Sequence, residues 1–207
     1  LFSFLFGYSA SFILRDNSAP NRRRYLRRML ALFLFGLAHA VFFFVGDILI
    51  TYAIFGLLLF LISRSSDRAL NRWIIAAFAL GTFLILVLVS LAAAFPDEGS
   101  GLGSLESALA TGTFTEASLA RLEALPTVLF SVFFLQGPMA FAAFVLGLRA
   151  SRVRLLADPT AHLDLWRKLA RWGWAIGLPL QAVAAGMQIG AIAAGTPFSG
   201  FGALGLA

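Results

Sequence analysis

Histidine occurs twice in this 207-residue chain, and the two occurrences stand in opposite surroundings. His39 lies in an apolar run, Leu34-Phe35-Gly36-Leu37-Ala38-His39-Ala40-Val41-Phe42, whereas His162 lies among charged residues. A neutral imidazole can act as general base on an acceptor hydroxyl or amine, or bind and release a proton during transport. An ionisable group inside an apolar helix is expensive and marks a functional site by default. The competing reading is a neutral His hydrogen-bonded to a neighbouring helix for packing. Ten residues separate His39 from Met29, which places it roughly 15 Å along a helix, near a membrane midplane. Gly36, at i−3 on the same face, leaves room for a substrate or another helix to approach the ring. His162 sits two residues before Asp164, where helical side chains do not meet, and reads as a solvated histidine.

Eight residues beyond His39 comes Asp47, preceded by Gly46. Capping accounts for the pair, with Gly46 as a C′ residue and Asp47 capping a helix that starts at Ile48. The sharper reading makes Asp47 an outer-side acid. Continued helical geometry would hold it about 12 Å from His39 along the axis, too far for a hydrogen bond, so spacing alone makes no dyad. Both could line one cavity open to the outside, with Thr51 and Tyr52 offering hydroxyls from the following helix. Gln136, in Gln136-Gly137-Pro138, is a second substrate-binding candidate where proline should kink a helix, although packing explains it equally.

Arg22, Arg23 and Arg24 are candidates for clamping the phosphates of a cofactor, since guanidinium groups bind phosphate bidentately. Membrane orientation accounts for them as well, and arginine supplies fifteen of the sixteen basic residues here. With no cysteine, no HExxH, no Walker motif and no dinucleotide fingerprint, neither a metal site nor a tightly bound cofactor is expected.

Side chains this sparse must be positioned by the elements around them. The chain is 60% hydrophobic and 13% charged, with mean hydropathy +0.88. Soluble domains carry roughly 25% charged residues, so an ordinary cytosolic enzyme, a disordered chain and a surface-charged binding module are excluded, and with them a nucleic-acid partner. The expected fold is all-α, a polytopic integral membrane helix bundle. Apolar runs place spans at 1–14, 29–45, 48–62, 73–95, 125–148 and 172–194, with a further run starting near Phe198 as the beginning of a seventh. The whole of 1–207 then belongs to one transmembrane domain. The first run lacks a basic leader and a cleavage pattern, so it is no signal peptide. Absence of an initiator Met and apolar sequence at both ends read as an internal piece of a longer protein whose first span is truncated.

Segments 15–28, 63–72 and 149–171 hold fifteen of the sixteen basic residues, while 96–124 holds five acids and only Arg121. The positive-inside bias puts the three basic loops in the cytoplasm and 96–124 outside. Within that outer loop, Thr113 and Glu116 have capping-box spacing and should start a short amphipathic surface helix through Leu119, Leu122 and Leu125. On the cytoplasmic side, Asp158-Pro159 should cap and begin a helix running into the sixth span, with Asp164 and Lys168 as an i,i+4 pair. Gln181 and Gln188, beside the small-xxx-small pairs Gly173/Gly177 and Gly186/Gly190, read as helix-interface residues.

Three stretches together resemble a known family. Phe2-Ser3-Phe4-Leu5-Phe6-Gly7 with the Arg-rich segment, Leu34-Phe35-Gly36-Leu37-Ala38-His39 through Gly46-Asp47-Ile48-Leu49-Ile50-Thr51-Tyr52-Ala53, and Leu146-Gly147-Leu148-Arg149 with Trp172-Gly173-Trp174-Ala175-Ile176-Gly177-Leu178-Pro179 are similar to YeiB-like bacterial inner-membrane proteins. That resemblance covers nearly the whole chain, and the His39 to Asp47 segment is its most specific part. It implies a transmembrane acyltransferase, moving an acyl group from cytoplasmic acyl-CoA as co-substrate to a lipid or glycan acceptor on the far side. The family's helix histidine maps to His39. The first-helix motif of the family, an Asp followed three residues later by Arg-Gly, is not in this sequence. Some members are described as transporters, so a transporter or exporter using His39 and Asp47 for protons or substrate is the alternative. Membrane lipids are the expected surroundings, and the sequence sets no oligomeric state.

Overall fold

Apolar runs punctuated by capping residues become helices throughout. The structure, a computed structural model, describes residues 1–14, 18–94 and 103–193. Its helices are α1 Phe2–Leu14, α2 Ala19–Phe42, α3 Leu49–Ile62, α4 Asp67–Ala94, α5 Gly103–Thr111, α6 Phe114–Leu135, α7 Gly137–Arg152 and α8 Leu163–Ala193, with a 3-10 turn at Thr160–His162 before the last. Among the described residues there is no strand. Three segments, Ala19–Phe42, Asp67–Leu91 and Phe114–Leu135, are long and apolar enough to cross a membrane, and Phe2–Leu14 and Leu49–Ile62 are shorter apolar helices. The described residues are therefore all-helical, with three helices long and apolar enough to cross a membrane.

Capping chemistry moves several boundaries from where apolar runs alone put them. Ser18 is extended (φ −61, ψ 144) with Pro20 in the first turn, a pre-organised helix start. α2 thus begins ten residues ahead of the expected 29, and Arg22, Arg23 and Arg24 ride on a helix, not in a loop spanning 15–28. Likewise Ser66 Oγ accepts the Ala69 N–H at 3.3 Å, and α4 begins at Asp67 instead of 73. The capping box forms as expected, Glu116 N–H donating to Thr113 Oγ1 and Thr113 N–H to Glu116 Oε2. The helix it launches does not stop on a surface, however. It continues through Pro126 to Leu135, so the amphipathic segment and the first half of the expected fifth span are one helix. At Gln136 that helix ends and α7 starts at Gly137; Gln136 N–H donates to Val132 O (3.0 Å) and Ala140 N–H to Gln136 O (2.9 Å) across the junction, while Pro138 has no N–H to give the ladder.

The chain divides into two compact units, Leu1–Val153 and Arg154–Ala207. In the first, α1 and α7 cross at reciprocal glycines. A Cβ on Gly7 would run into the Phe144 carbonyl, and one on Gly147 into the Phe4 carbonyl. Small residues at such a crossing let backbones touch, which drives helix association where water does not. Around that crossing Tyr25, Met29, Leu59, Leu70, Phe144 and Val145 are buried, Phe6 stacks on Phe144 at 4.5 Å, and the Tyr25 hydroxyl donates to Gly56 O at 2.9 Å. On α4, by contrast, the large apolar side chains of Ile75, Phe78, Phe83 and Leu86 are exposed.

One end of this unit gathers charge. Asp67 takes Arg152 at 2.6 Å and Arg149 at 3.3 Å, Arg152 also donates to Ser63 O at 2.9 Å, and the Arg22 guanidinium lies 5.9 Å from the Phe60 ring centre. Sequence spacing gave no hint of this Asp67 clasp, which joins segments 82 and 85 residues apart.

In the second unit Asp158 caps as expected. Its Oδ1 accepts the Thr160 hydroxyl at 2.9 Å and the Ala161 N–H at 3.3 Å, and these bonds hold its carboxyl below the usual carboxylate range. The helical start is the 3-10 turn, and α8 follows from Leu163. Asp164 pairs at 3.7 Å with Arg167 at i+3 in place of Lys168. Among the described residues a Cβ at Gly173, Gly177, Gly186 or Gly190 would meet nothing within 4 Å. The side chain of Gln188, the segment 95–102 and the run from Phe198 lie outside the described residues.

Candidate functional site

The last turn of α2 carries the site. Its hydrogen-bond ladder ends when the His39 carbonyl accepts two amides, Phe43 N–H and Phe44 N–H, each at 2.9 Å. The helix stops at Phe42, three residues short of the expected 45, and the chain turns through Val45 and Gly46. Gly46 is therefore not the C′ residue, because the C-cap is Phe43. Its missing side chain makes room for the Phe44 ring, whose nearest carbons would lie 2.9 Å from a Cβ there.

This early stop overturns the 12 Å separation derived from a continuous helix. The turn folds Asp47 back onto α2, and Asp47 Oδ2 sits 2.6 Å from His39 Nδ1. The other carboxylate oxygen, Oδ1, accepts the Leu49 N–H at 2.5 Å. Asp47 thus takes the first amide of α3, which starts at Leu49 with Ile48 as N-cap, and at the same time meets the histidine, a pairing that spacing alone did not provide.

Close helix approach makes that reach possible. Gly36 lies one turn before His39, and a Cβ there would stand 2.9 Å from Ile50 N and 3.0 Å from Leu49 Cβ. Ala40, Ile50 and Leu125 of α6 form the buried apolar cluster beside the pair, with Val41, Val45 and Leu129 packed against it. Phe43 stacks on the imidazole (5.8 Å, 19°). The exposure of the two partners is unequal: the Asp47 side chain is 4% exposed and that of His39 45%.

A buried carboxylate beside a half-exposed imidazole has a definite chemical meaning. With Nδ1 donating to Asp47, the lone pair lies on Nε2, and the carboxylate fixes ring orientation and offsets the charge formed when Nε2 takes a proton. The arrangement can serve as a general base or as a proton-binding site.

Other candidates lie elsewhere. Tyr52 Oη pairs with Ser3 Oγ at 2.6 Å and packs edge-on against Phe144 at 4.9 Å, in the α1/α7 crossing. Gln136 is exposed at the α6/α7 junction, and the hydrogen bonds of the His39 and Asp47 side chains do not include it. Arg22, Arg23 and Arg24 sit at the start of α2, roughly 25 Å along the axis from His39. Arg23, Arg24 and Arg27 line an open surface concavity with Ala19 and Pro20, and Arg22 leans on Phe60. His39 itself is within a turn of the far end of α2, not at its middle, because α2 extends well to the N-terminal side of Met29. Among the described residues no group of acids and histidines could hold a metal ion.

Arg121, which the sequence marks only as the lone basic residue of the 96–124 segment, is a further feature. Its Nη1 is buried and has no hydrogen-bond partner among the described residues.

Known proteins add little beyond these observations. No family model matches the chain, and no solved structure matches it. It is 26% identical over 206 residues to "Uncharacterized protein YxaH" of Bacillus subtilis (strain 168), an alignment taking in 88% of this chain and 50% of that protein, so the chain spans about half the length of the curated relative it matches.

Proposed function

We propose that the chain is part of a YeiB-like, multi-pass inner-membrane acyltransferase in which His39 is the general base and Asp47 its orienting acid. The observation that carries this reading is the 2.6 Å pairing of His39 Nδ1 with the buried Asp47 carboxylate. His39 Nε2 takes the proton of an acceptor hydroxyl or amine. The acceptor oxygen or nitrogen bonds to the thioester carbonyl carbon of the acyl-CoA, the C–S bond breaks, and CoA leaves as the thiol after receiving that proton. Asp47 offsets the imidazolium formed between the two proton transfers.

The spans proposed for the bundle are the six apolar runs, with the basic segments 15–28, 63–72 and 149–171 cytoplasmic. Two features support that orientation. Fifteen of sixteen basic residues fall in those segments, and Arg22, the Ser63 to Asp67 turn and Arg149/Arg152 converge at the end opposite His39. Arg22, Arg23 and Arg24 would hold the phosphates of acyl-CoA there, with the acyl end presented along α2 toward His39. The acceptor would come from a lipid or glycan pool on the outer side.

A transporter in which the same pair binds and releases a proton is favoured by the 45% exposure of the His39 side chain. One experiment separates the two. The intact protein in proteoliposomes receives labelled acetyl-CoA or a longer acyl-CoA on the cytoplasmic side, and acylated acceptor is counted for wild type and His39→Gln. Loss of about 10²–10⁴-fold in transfer by a folded His39→Gln is the expected result. Unchanged transfer removes His39 as base, and substrate flux without acylation, collapsing in the variant, establishes the transporter.

A further inference from the structure

Between Arg72 and Arg149 the chain has one basic residue, Arg121. It sits on α6, and the contacts on either side of it locate the face it shares. Seven residues earlier, Phe114 stacks on Phe42 at 6.4 Å. Four residues later, Leu125 packs with Ala40 and Ile50. Positions i−7, i and i+4 fall on one helical face. Both contacts land on the segments that flank the site, since Ala40 follows His39, Phe42 closes α2 and Ile50 lies three residues beyond Asp47. Arg121 thus shares the face of α6 whose Phe114 and Leu125 reach the segments flanking the His39–Asp47 pair.

A guanidinium in this place wants an anion and has none of its own. Its Nη1 is buried without a hydrogen-bond partner, and among the described residues no carboxylate pairs with it. Asp47 has both oxygens committed, to His39 and to the Leu49 amide. Glu116 is held by the Thr113 cap, and Glu123, at i+2, is exposed on the other side of α6. The Arg149 guanidinium, which also has a buried nitrogen without a partner, differs because it reaches Asp67 through Nη2. Burying a charged donor without an acceptor is costly, and an arriving oxyanion would remove that cost through the planar fork.

We propose that Arg121 is the anion anchor of this site, holding a phosphate or carboxylate group carried by the acceptor and setting the acceptor's hydroxyl or amine against His39. The word acceptor rests on the acyltransferase reading, whereas anion binding beside the His39–Asp47 pair does not. The test measures thermal unfolding of the intact protein in phosphatidylcholine nanodiscs at constant ionic strength, with glycerol 3-phosphate, glycerate or glycerol added. Wild type and His39→Gln should be stabilised by a charged probe and not by glycerol, Arg121→Gln should lose that shift, and Arg121→Lys should keep part of it. A shift produced only by exchanging phosphatidylcholine for phosphatidylglycerol, and lost in Arg121→Gln, assigns the anion to a lipid headgroup instead of a soluble acceptor and keeps Arg121 as anchor. Where Arg121→Gln does not fold, the Arg121→Lys comparison decides, with a weakened shift expected. An undiminished shift in the Arg121 variants, or no anion-dependent shift in wild type, overturns the proposal. Wild type without acyl transfer but with an Arg121-dependent shift removes the acyltransferase reading and leaves the anchor in place.

Discussion

Gly36 of α2 and Ile50 of α3 meet almost backbone to backbone, so that a Cβ on Gly36 would stand 2.9 Å from the Ile50 amide nitrogen. That approach is what delivers Asp47, at the mouth of α3, to His39, one turn beyond Gly36. Gly36→Ala should therefore act on the pair as well as on packing. Alanine is the better helix former by about 0.5–1 kcal/mol, but forcing a methyl against backbone costs about 1–3 kcal/mol. The variant should be less stable in denaturant titration and should lose acyl transfer. Stability and transfer both at wild-type level would mean the helices part without consequence for the site.

His39 and Asp47 should behave as one unit. Asp47→Asn keeps an oxygen for the Leu49 amide, while Asp47→Ala also loses the cap, worth about 1 kcal/mol. Transfer by Asp47→Asn should drop sharply with stability close to wild type. Combined with His39→Gln, it should fall no further than His39→Gln alone. Additive losses in the double variant would show two independent roles.

Orientation can be read from thiol chemistry, because the chain has no cysteine. Single cysteines at Ser18, Ser66 or Ser151 should resist an impermeant maleimide in intact cells, and one at Ser104 should react. Reaction at the first three positions reverses the proposed topology and the placement of an acyl-CoA site.

Acid should loosen the entry to α8. The Thr160 hydroxyl and the Ala161 amide lower the Asp158 pKa from its ordinary 3.8. A carboxylate depressed in the folded state contributes stability that is present above the unfolded value and lost as pH falls through the lower folded value. The Ala161 amide resonance should therefore titrate with a midpoint below the ordinary carboxylate value of 3.8, and Asp158→Asn should abolish the titration. Titration of that amide at higher pH would contradict the capping role.

Length and polarity of apolar runs sufficed to read this chain as helical and membrane-like, since a helix that hides its backbone and shows only apolar side chains is legible locally. Local caps were legible for the same reason: Thr113 with Glu116, and Asp158 with Ala161, satisfy amides three residues away. The start of α2 at Ala19 is not legible from charge, which marks where an apolar run ends, because Ser18 and Pro20 decide where helical dihedrals begin.

The His39–Asp47 bond was hidden from the sequence because it depends on where α2 ends. Nothing in eight residues of spacing fixes whether the backbone continues as a helix or folds back. That choice was made by α3 closing on Gly36, with Ala40, Ile50 and Leu125 packing together beside the turn. The same holds for Asp67 with Arg149 and Arg152, which depends on helices far apart in sequence. Residue types and their periodicity determined that this chain forms apolar helices bearing one histidine in an apolar run. Only the packing of those helices decided that the histidine meets an aspartate, because a hydrogen bond needs ångström placement that no local propensity supplies.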